Sequence, residues 1–228
     1  LAADGTLDWD APAGDWTVLR LGHTCTGKDN HPLPEPGRGL EVDKLSREAV
    51  DSFWNKGVKP ILDACEPFVG KTLTQTLIDS YEVGFETWTP KFASEFAKRR
   101  GYDIKPYLPA MTGRVVDGVA VSERFLWDVR KTLGELFDEN YYGRFAELAA
   151  QRGMSLAAEP YGNGNFDSLT AGGYATLPMT EFWSGSGGDE YGGKLAGSIA
   201  HTYGRSVVGA ESFTASPENG AWRNTPWT

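Results

Sequence analysis

A chain of 228 residues that is 40% hydrophobic and 12% aromatic carries enough apolar material for a sizeable core, as one large domain or two small ones, and is not a disordered sequence. Its 31 acidic against 22 basic side chains leave a net charge of −9, which repels phosphate backbones and leaves no basic stripe for nucleic acid. No apolar run approaches the ~20 residues that cross a bilayer, so neither nucleic acid nor membrane is an expected partner.

The two cysteines, Cys25 and Cys65, supply neither a disulfide scaffold nor a CxxC-type zinc site, although a single bridge between them stays open. The start Leu1-Ala2-Ala3-Asp4 lacks a methionine, a basic n-region and an apolar h-region, and reads as a start inside a longer parent. In residues 1–36 the text is turn-rich around one extended run, Trp16-Thr17-Val18-Leu19-Arg20-Leu21, whose β-branched and aromatic content predicts a strand at the end of a β-rich module. The proline-rich stretch from His31 to Gly37 then reads as an extended connector, with a boundary near residue 37.

Beyond it the period changes to helical. Leu45, Ala49, Phe53 and Trp54 share one helix face, and Ser46 is placed to cap it. Thr72 to Ile78 is β-prone and ends in Asp79-Ser80-Tyr81-Glu82. Thr89-Pro90 then predicts an N-cap and first helical position for a helix bearing Phe92, Phe96 and Ala97 that stops at Gly101. The longest periodic segment, Ser122 to Arg152, predicts one helix closed by Gly153. Met154 to Ala158 reads as a strand buried on both faces that ends at Glu159-Pro160. The same grammar recurs in Ala175 to Thr180 before Glu181 and, after a helix-compatible Leu195 to Tyr203, in Ser206 to Ala210 before Glu211.

Four short strands, each closing on a glutamate and separated by helices or long loops, predict an α/β fold: a partial (β/α)8 barrel over residues 37–228, preceded by a short β-rich segment. Closing eight strands would need residues outside this chain. In such barrels the working groups sit at the C-terminal strand ends, which nominates Glu82, Glu159, Glu181 and Glu211. Paired carboxyls of this kind suit glycosidic hydrolysis, one protonating the leaving oxygen and the other delivering water or itself to the anomeric carbon. Aromatic side chains crowd the same loops, Tyr81, Phe85, Trp88, Tyr161, Phe182, Trp183 and Phe213, and offer flat faces to sugar rings, although each could equally be ordinary packing. Glu41, Asp43, Glu86, Glu123 and Asp128 read as surface charges or caps, and Asp189-Glu190 as a helix start.

Other chemistries fit poorly. The Gly185-Ser186-Gly187-Gly188 stretch lacks the ending of a phosphate loop and reads as a mobile loop. His23, His31 and His201 show no metal-ligand spacing, and no serine sits in a G-x-S-x-G elbow. A hard cation held by carboxylates and carbonyls, such as calcium, needs no histidine and stays open.

Several ordered strings then point to one family: Gly39-Leu40-Glu41-Val42-Asp43-Lys44-Leu45-Ser46, Ile78-Asp79-Ser80-Tyr81-Glu82, Trp88-Thr89-Pro90, Arg99-Arg100-Gly101-Tyr102-Asp103, Glu123-Arg124-Phe125-Leu126-Trp127-Asp128, Glu159-Pro160-Tyr161-Gly162 and Glu181-Phe182-Trp183. Together, from about Trp16 to Glu211, the chain resembles glycoside hydrolase family 106, the α-L-rhamnosidases. The resemblance implies inverting hydrolysis of terminal α-linked L-rhamnose in a calcium-dependent site, within a larger bacterial protein, periplasmic or extracellular, that degrades plant polysaccharides or glycosides. It implies Glu82 as general acid and Glu211 as the base, with Glu181 close behind. Glu159 is the expected cation ligand, and Asp79, Tyr81, Trp88, Tyr161 and Trp183 are expected to line the sugar. Another sugar, a retaining mechanism on the same barrel, or a fragment that binds carbohydrate without turnover are the alternatives.

Overall fold

A computed structural model of the protein describes residues 2, 4–30, 34–184 and 190–215, without the side chains of residues 190–192. The glycine-rich stretch 185–188, Asp189 and His31 therefore lie outside the described residues.

Most helix signals are local and are realised. Ser46 caps α1 (Arg47–Phe53) by accepting from the Ala49 N–H, and a π turn over Trp54–Val58 leads into α2 (Lys59–Ala64). After β1 (Gln75–Ile78) comes α3 (Phe92–Arg100), which ends where Gly101 takes a left-handed φ of 82°. Its start corrects the expected cap. Lys91 holds the N-cap position, while the Thr89 hydroxyl is drawn away to donate to Asp43 Oδ2 at 2.8 Å. The long apolar periodicity divides into α4 (Val119–Phe137), a π turn over Asp138–Gly143, and α5 (Arg144–Ala150). One wider turn hardly disturbs a three-and-four-residue pattern, so the sequence reads straight through it.

β2 (Ser155–Ala158) follows, then α6 (Ser168–Gly173), capped by Asp167, and β3 (Leu177–Trp183). The chain continues through α7 (Glu190–Thr202) into β4 (Gly209–Thr214). All neighbouring strands pair in parallel, in the order β1-β2-β3-β4. The fold is α/β with four parallel strands in a curled half-barrel, consistent with part of a (β/α)8 barrel.

Among the described residues the expected β-rich opening is not found. Trp16–Leu21 forms no strand, and Trp16, Val18 and Leu21 are exposed. β-propensity expresses fit to a half-buried pleated surface, and no described edge accepts this run. The connector also differs, since Glu35–Gly37 tightens into a 3₁₀ turn. Cys25 and Cys65 are both free thiols.

The helices cover one face of the sheet, where Ile78, Leu156 and Ala158 join a core with Phe92, Phe96, Phe125, Phe137 and Tyr142. By the two-residue alternation, Leu77, Ala157, Met179 and Gly209 point to the other face. That inner face holds the carboxylates described next.

Candidate functional site

Asp79 and Glu159 directly follow the last residues of β1 and β2, on the inner face, and the Glu159 N–H donates to the Ile78 carbonyl at 2.9 Å. Glu181 and Glu211 lie within β3 and β4 instead of after them, and are register partners. Longer strands than the apolar runs foretell carry these two acids inside the ladder, side by side. Oxygens of Asp79, Glu159 and Glu211 all lie within 4.8 Å of one another. In a flat sheet β1 and β4 stand three strand spacings apart, about 14 Å. Curling of the sheet is what closes that gap.

Glu159 is only 1% exposed, and neither its two oxygens nor the Tyr161 hydroxyl makes a hydrogen bond. Burial first, and the adjoining Asp79 carboxyl next, push the Glu159 carboxyl up to about 8, with Tyr161 pulling the other way. The Tyr161 phenol is itself pushed up, by burial and then by Glu159 and Glu181. Buried polar atoms are nearly always paired, because stripping water from one without replacement costs on the order of 1–3 kcal/mol or more. An all-oxygen donor set with an orphaned buried carboxyl at its centre fits a hard cation such as calcium, which takes carboxylate ligands.

Around Glu211 the backbone is bent to purpose. The β3–β4 register shifts between Phe182 and Trp183, and Phe213 sits at a φ of 60°, a β-bulge that costs a non-glycine residue strain. The bulge brings the Thr214 hydroxyl back to donate to Glu211 Oε1. Two residues earlier, a Cβ on Gly209 would stand 2.8 Å from the Met179 side chain, so glycine there makes room beneath the acids. Trp183 is 41% exposed and donates from its indole nitrogen to Glu181 Oε2 at 2.9 Å.

The loop after β1 carries Glu82. It is exposed and accepts from Ser80 Oγ at 2.8 Å, outside the trio. Tyr81 is buried, its ring edge-on to Phe137 at 5.0 Å and its hydroxyl donating to the Gly84 carbonyl at 2.5 Å. The backbone of Tyr81 bridges to Gly162, where φ is 124° and any Cβ would fall 1.9 Å from the Tyr81 oxygen. Only glycine lets the two loops meet, so Gly162 fixes the path of the Glu82 loop. Trp88 stands apart from the trio, lining a separate cavity.

One cluster escaped the sequence reading. Glu41, Asp43 and Glu86 are not simply surface charges or caps: Glu41 and Glu86 flank Lys44, whose side chain is 4% exposed, and Asp43 accepts from the Thr89 hydroxyl beside them. Burial foremost pushes the Glu86 carboxyl up to about 7, against the pull of Lys44. Asp43 does act locally, accepting from the Leu45 N–H, but Glu86 arrives from far along the chain, which spacing cannot reveal. Asp128, also expected at the surface, accepts from the Tyr102 hydroxyl at 2.9 Å, whereas Glu123 is exposed as expected.

The glycoside hydrolase family 106 model, described as alpha-L-rhamnosidase, matches residues 1–228. A protein of Formosa agariphila named putative beta-glucuronidase is 47% identical over 222 residues, 97% of this chain and 19% of that protein. A solved rhamnosidase from Novosphingobium sp. PP1Y aligns with a TM-score of 0.82 and 35% identity, over 99% of this chain and 23% of that one. The chain thus spans about a fifth to a quarter of the length of the proteins it matches.

Proposed function

The chain belongs to glycoside hydrolase family 106, and from that membership we propose that it carries carboxylates that hydrolyse a terminal α-L-rhamnosidic bond. The observation that carries the proposal is the convergence of Asp79, Glu159 and Glu211 within 4.8 Å on the inner, strand-end face. Glu82, on the loop that Gly162 fixes, is the acid that protonates the leaving oxygen. Glu211 is the base, with one oxygen held by the Thr214 hydroxyl, so that the carboxylate is fixed on the inner face where an attacking water would stand. Glu181, its register partner, orients the water or a sugar hydroxyl, and the exposed Trp183 gives the sugar a flat face.

Asp79 and Glu159 would hold a calcium ion, with an oxygen of Glu211 completing the set. Bound there, the ion supplies a positive charge that orients sugar hydroxyls and relieves the orphaned Glu159 carboxyl. An inverting reaction needs the acid and base about 6.5–9.5 Å apart, a retaining one about 5–5.5 Å. Plant-type polysaccharides and glycosides are too polar to cross the cytoplasmic membrane unaided, which supports a periplasmic or extracellular setting.

The test is hydrolysis of an aryl α-L-rhamnoside by the chain and by Glu82→Gln and Glu211→Gln, with the first-released anomer followed by NMR. Each substitution should lower the rate by at least about 100-fold. A rate within a few-fold of wild type for either would remove that residue from its role, and release of the retained anomer would overturn the inverting reading. The name of the Formosa relative favours a second reading, cleavage of a uronic acid glycoside. Because Asp79, Glu159, Glu181 and Glu211 are all acidic, a uronate would need the bound cation as its counter-charge. Parallel assay on an aryl β-glucuronide separates the two.

A further inference from the structure

A cavity of about 860 Å³ lies between the N-terminal segment and the loop after β1, and none of Asp79, Glu159, Glu181 or Glu211 lines it. We propose that this cavity is a second saccharide-binding site, taking a neutral sugar ring, an inference that rests on the glycosidase reading above. Its volume falls within the ~300–1,000 Å³ typical of small-molecule pockets.

One wall is apolar, formed by Leu40, Trp88, Leu108 and Met111. Trp88 is packed against His23, with ring centroids 6.2 Å apart, and against Phe92 at 4.9 Å. The same lining carries three anchored acids, Glu41, Asp43 and Glu86. Asp43 accepts from the Leu45 N–H at 3.0 Å and from Thr89 Oγ1 at 2.8 Å. Glu86 accepts from the Lys44 N–H at 2.9 Å, and the Lys44 ammonium lies 2.9 Å from Glu41 and 3.9 Å from Glu86. That ammonium also stands over the rings of Tyr81 and Tyr141, at 5.1 and 5.4 Å.

The acids are therefore held still, and a carboxyl group offers more acceptor sites than these bonds use. Fixed acceptors in a cavity that also carries an indole and aliphatic side chains match a sugar ring, whose hydroxyls donate and whose C–H face is apolar. An anionic ligand would meet three carboxylates, and a purely apolar one would strand them without partners. A cation is the poorer match, because Lys44 already stands between Glu41 and Glu86 as their counter-charge. Glu86, Thr87 and Trp88, which line the cavity, belong to the same loop after β1 as Glu82, so a ring held here would rest against the loop that bears the proposed acid.

The experiment is an NMR titration of the chain with methyl α-L-rhamnoside and with a rhamnose-containing disaccharide, following the Trp88 indole N–H, assigned through Trp88→Phe. We expect a saturable shift of that resonance. Trp88→Ala and Glu41→Gln should each weaken binding at this site by at least about tenfold, and Glu159→Gln should leave it in place. Glu41→Gln retains the tryptophan packing and so keeps the test informative if Trp88→Ala fails to fold. A Trp88 resonance that does not move while Trp183 shifts, or affinity unchanged in Glu41→Gln, would overturn the second site and leave the hydrolase reading intact. Shifts from calcium alone and none from either sugar would overturn it as well. If no resonance moves with either sugar, the second site falls, and the aryl rhamnoside assay judges the hydrolase reading separately.

Discussion

Two buried carboxyls in this fold share nearly the same electrostatic character and differ in everything else. Glu159 at the end of β2 and Asp138 in the π turn between α4 and α5 are both almost fully enclosed, and each has side-chain oxygen without a hydrogen bond. Burial above all pushes each up to about 8, with Asp79 adding to it at Glu159, and Asp167, Glu139 and Glu135 at Asp138. Yet Glu159 faces two further acids across a curled sheet at the strand ends, while Asp138 sits among helices beside Tyr142, away from the strand ends. A shifted pKa therefore marks desolvation, and it marks a site only where other groups converge with it.

That contrast can be broken by direct measurement. The largest effect should be on turnover: Glu159→Gln is expected to lower kcat/KM on an aryl α-L-rhamnoside by about 100-fold, as loss of metal-site groups does, and Asp138→Asn to leave it within about threefold. Equal losses would refute the distinction.

Stability should respond the other way. An acid whose folded pKa is raised is neutral to folding below its unfolded value of 3.8 and costs increasingly as pH climbs toward its folded value of about 8. Resistance of the wild-type chain to denaturant should accordingly weaken between those limits, by up to about 6 kcal/mol from this group at 1.36 kcal/mol per pKa unit. Asp138→Asn should remove that slope, with little change at pH 4 and the greatest gain near pH 8. A pH profile identical to wild type would show that Asp138 is not held protonated.

Calcium should discriminate the pair more gently. Thermal unfolding with and without the ion should show stabilisation of wild type, about 2.7 kcal/mol at 100 times the dissociation constant. Asp138→Asn should keep this gain and Glu159→Gln should lose it. A gain preserved in Glu159→Gln would move the cation elsewhere. The smallest effect is expected at Phe213, where glycine relieves a left-handed backbone at a cost in Glu211 positioning: Phe213→Gly should change stability by about 1 kcal/mol either way and lower kcat more than it raises KM.

Much of this fold is legible residue by residue. Ser46 caps, Gly101 terminates, and the apolar run before Glu159 forms a buried strand, because each depends on neighbours a few positions away. Thr89 misleads for the complementary reason: its local cap signal loses to Asp43, a partner far off in sequence. Trp16 to Leu21 misleads because strand formation requires an edge to pair with.

The amino-acid sequence by itself pointed to acids on or just after the strands, with Glu159 alone of the four glutamates directly at a strand end, and, through its ordered motifs, to the family this chain resembles. Only the tertiary structure decided which of them meet. Curling of the parallel sheet brings Asp79 to Glu159 and Glu211, and leaves Glu82 on its own loop. It likewise buries Lys44 between Glu41 and Glu86. Burial and convergence are properties of contacts between distant segments, and no local pattern of residue types encodes the distance between them.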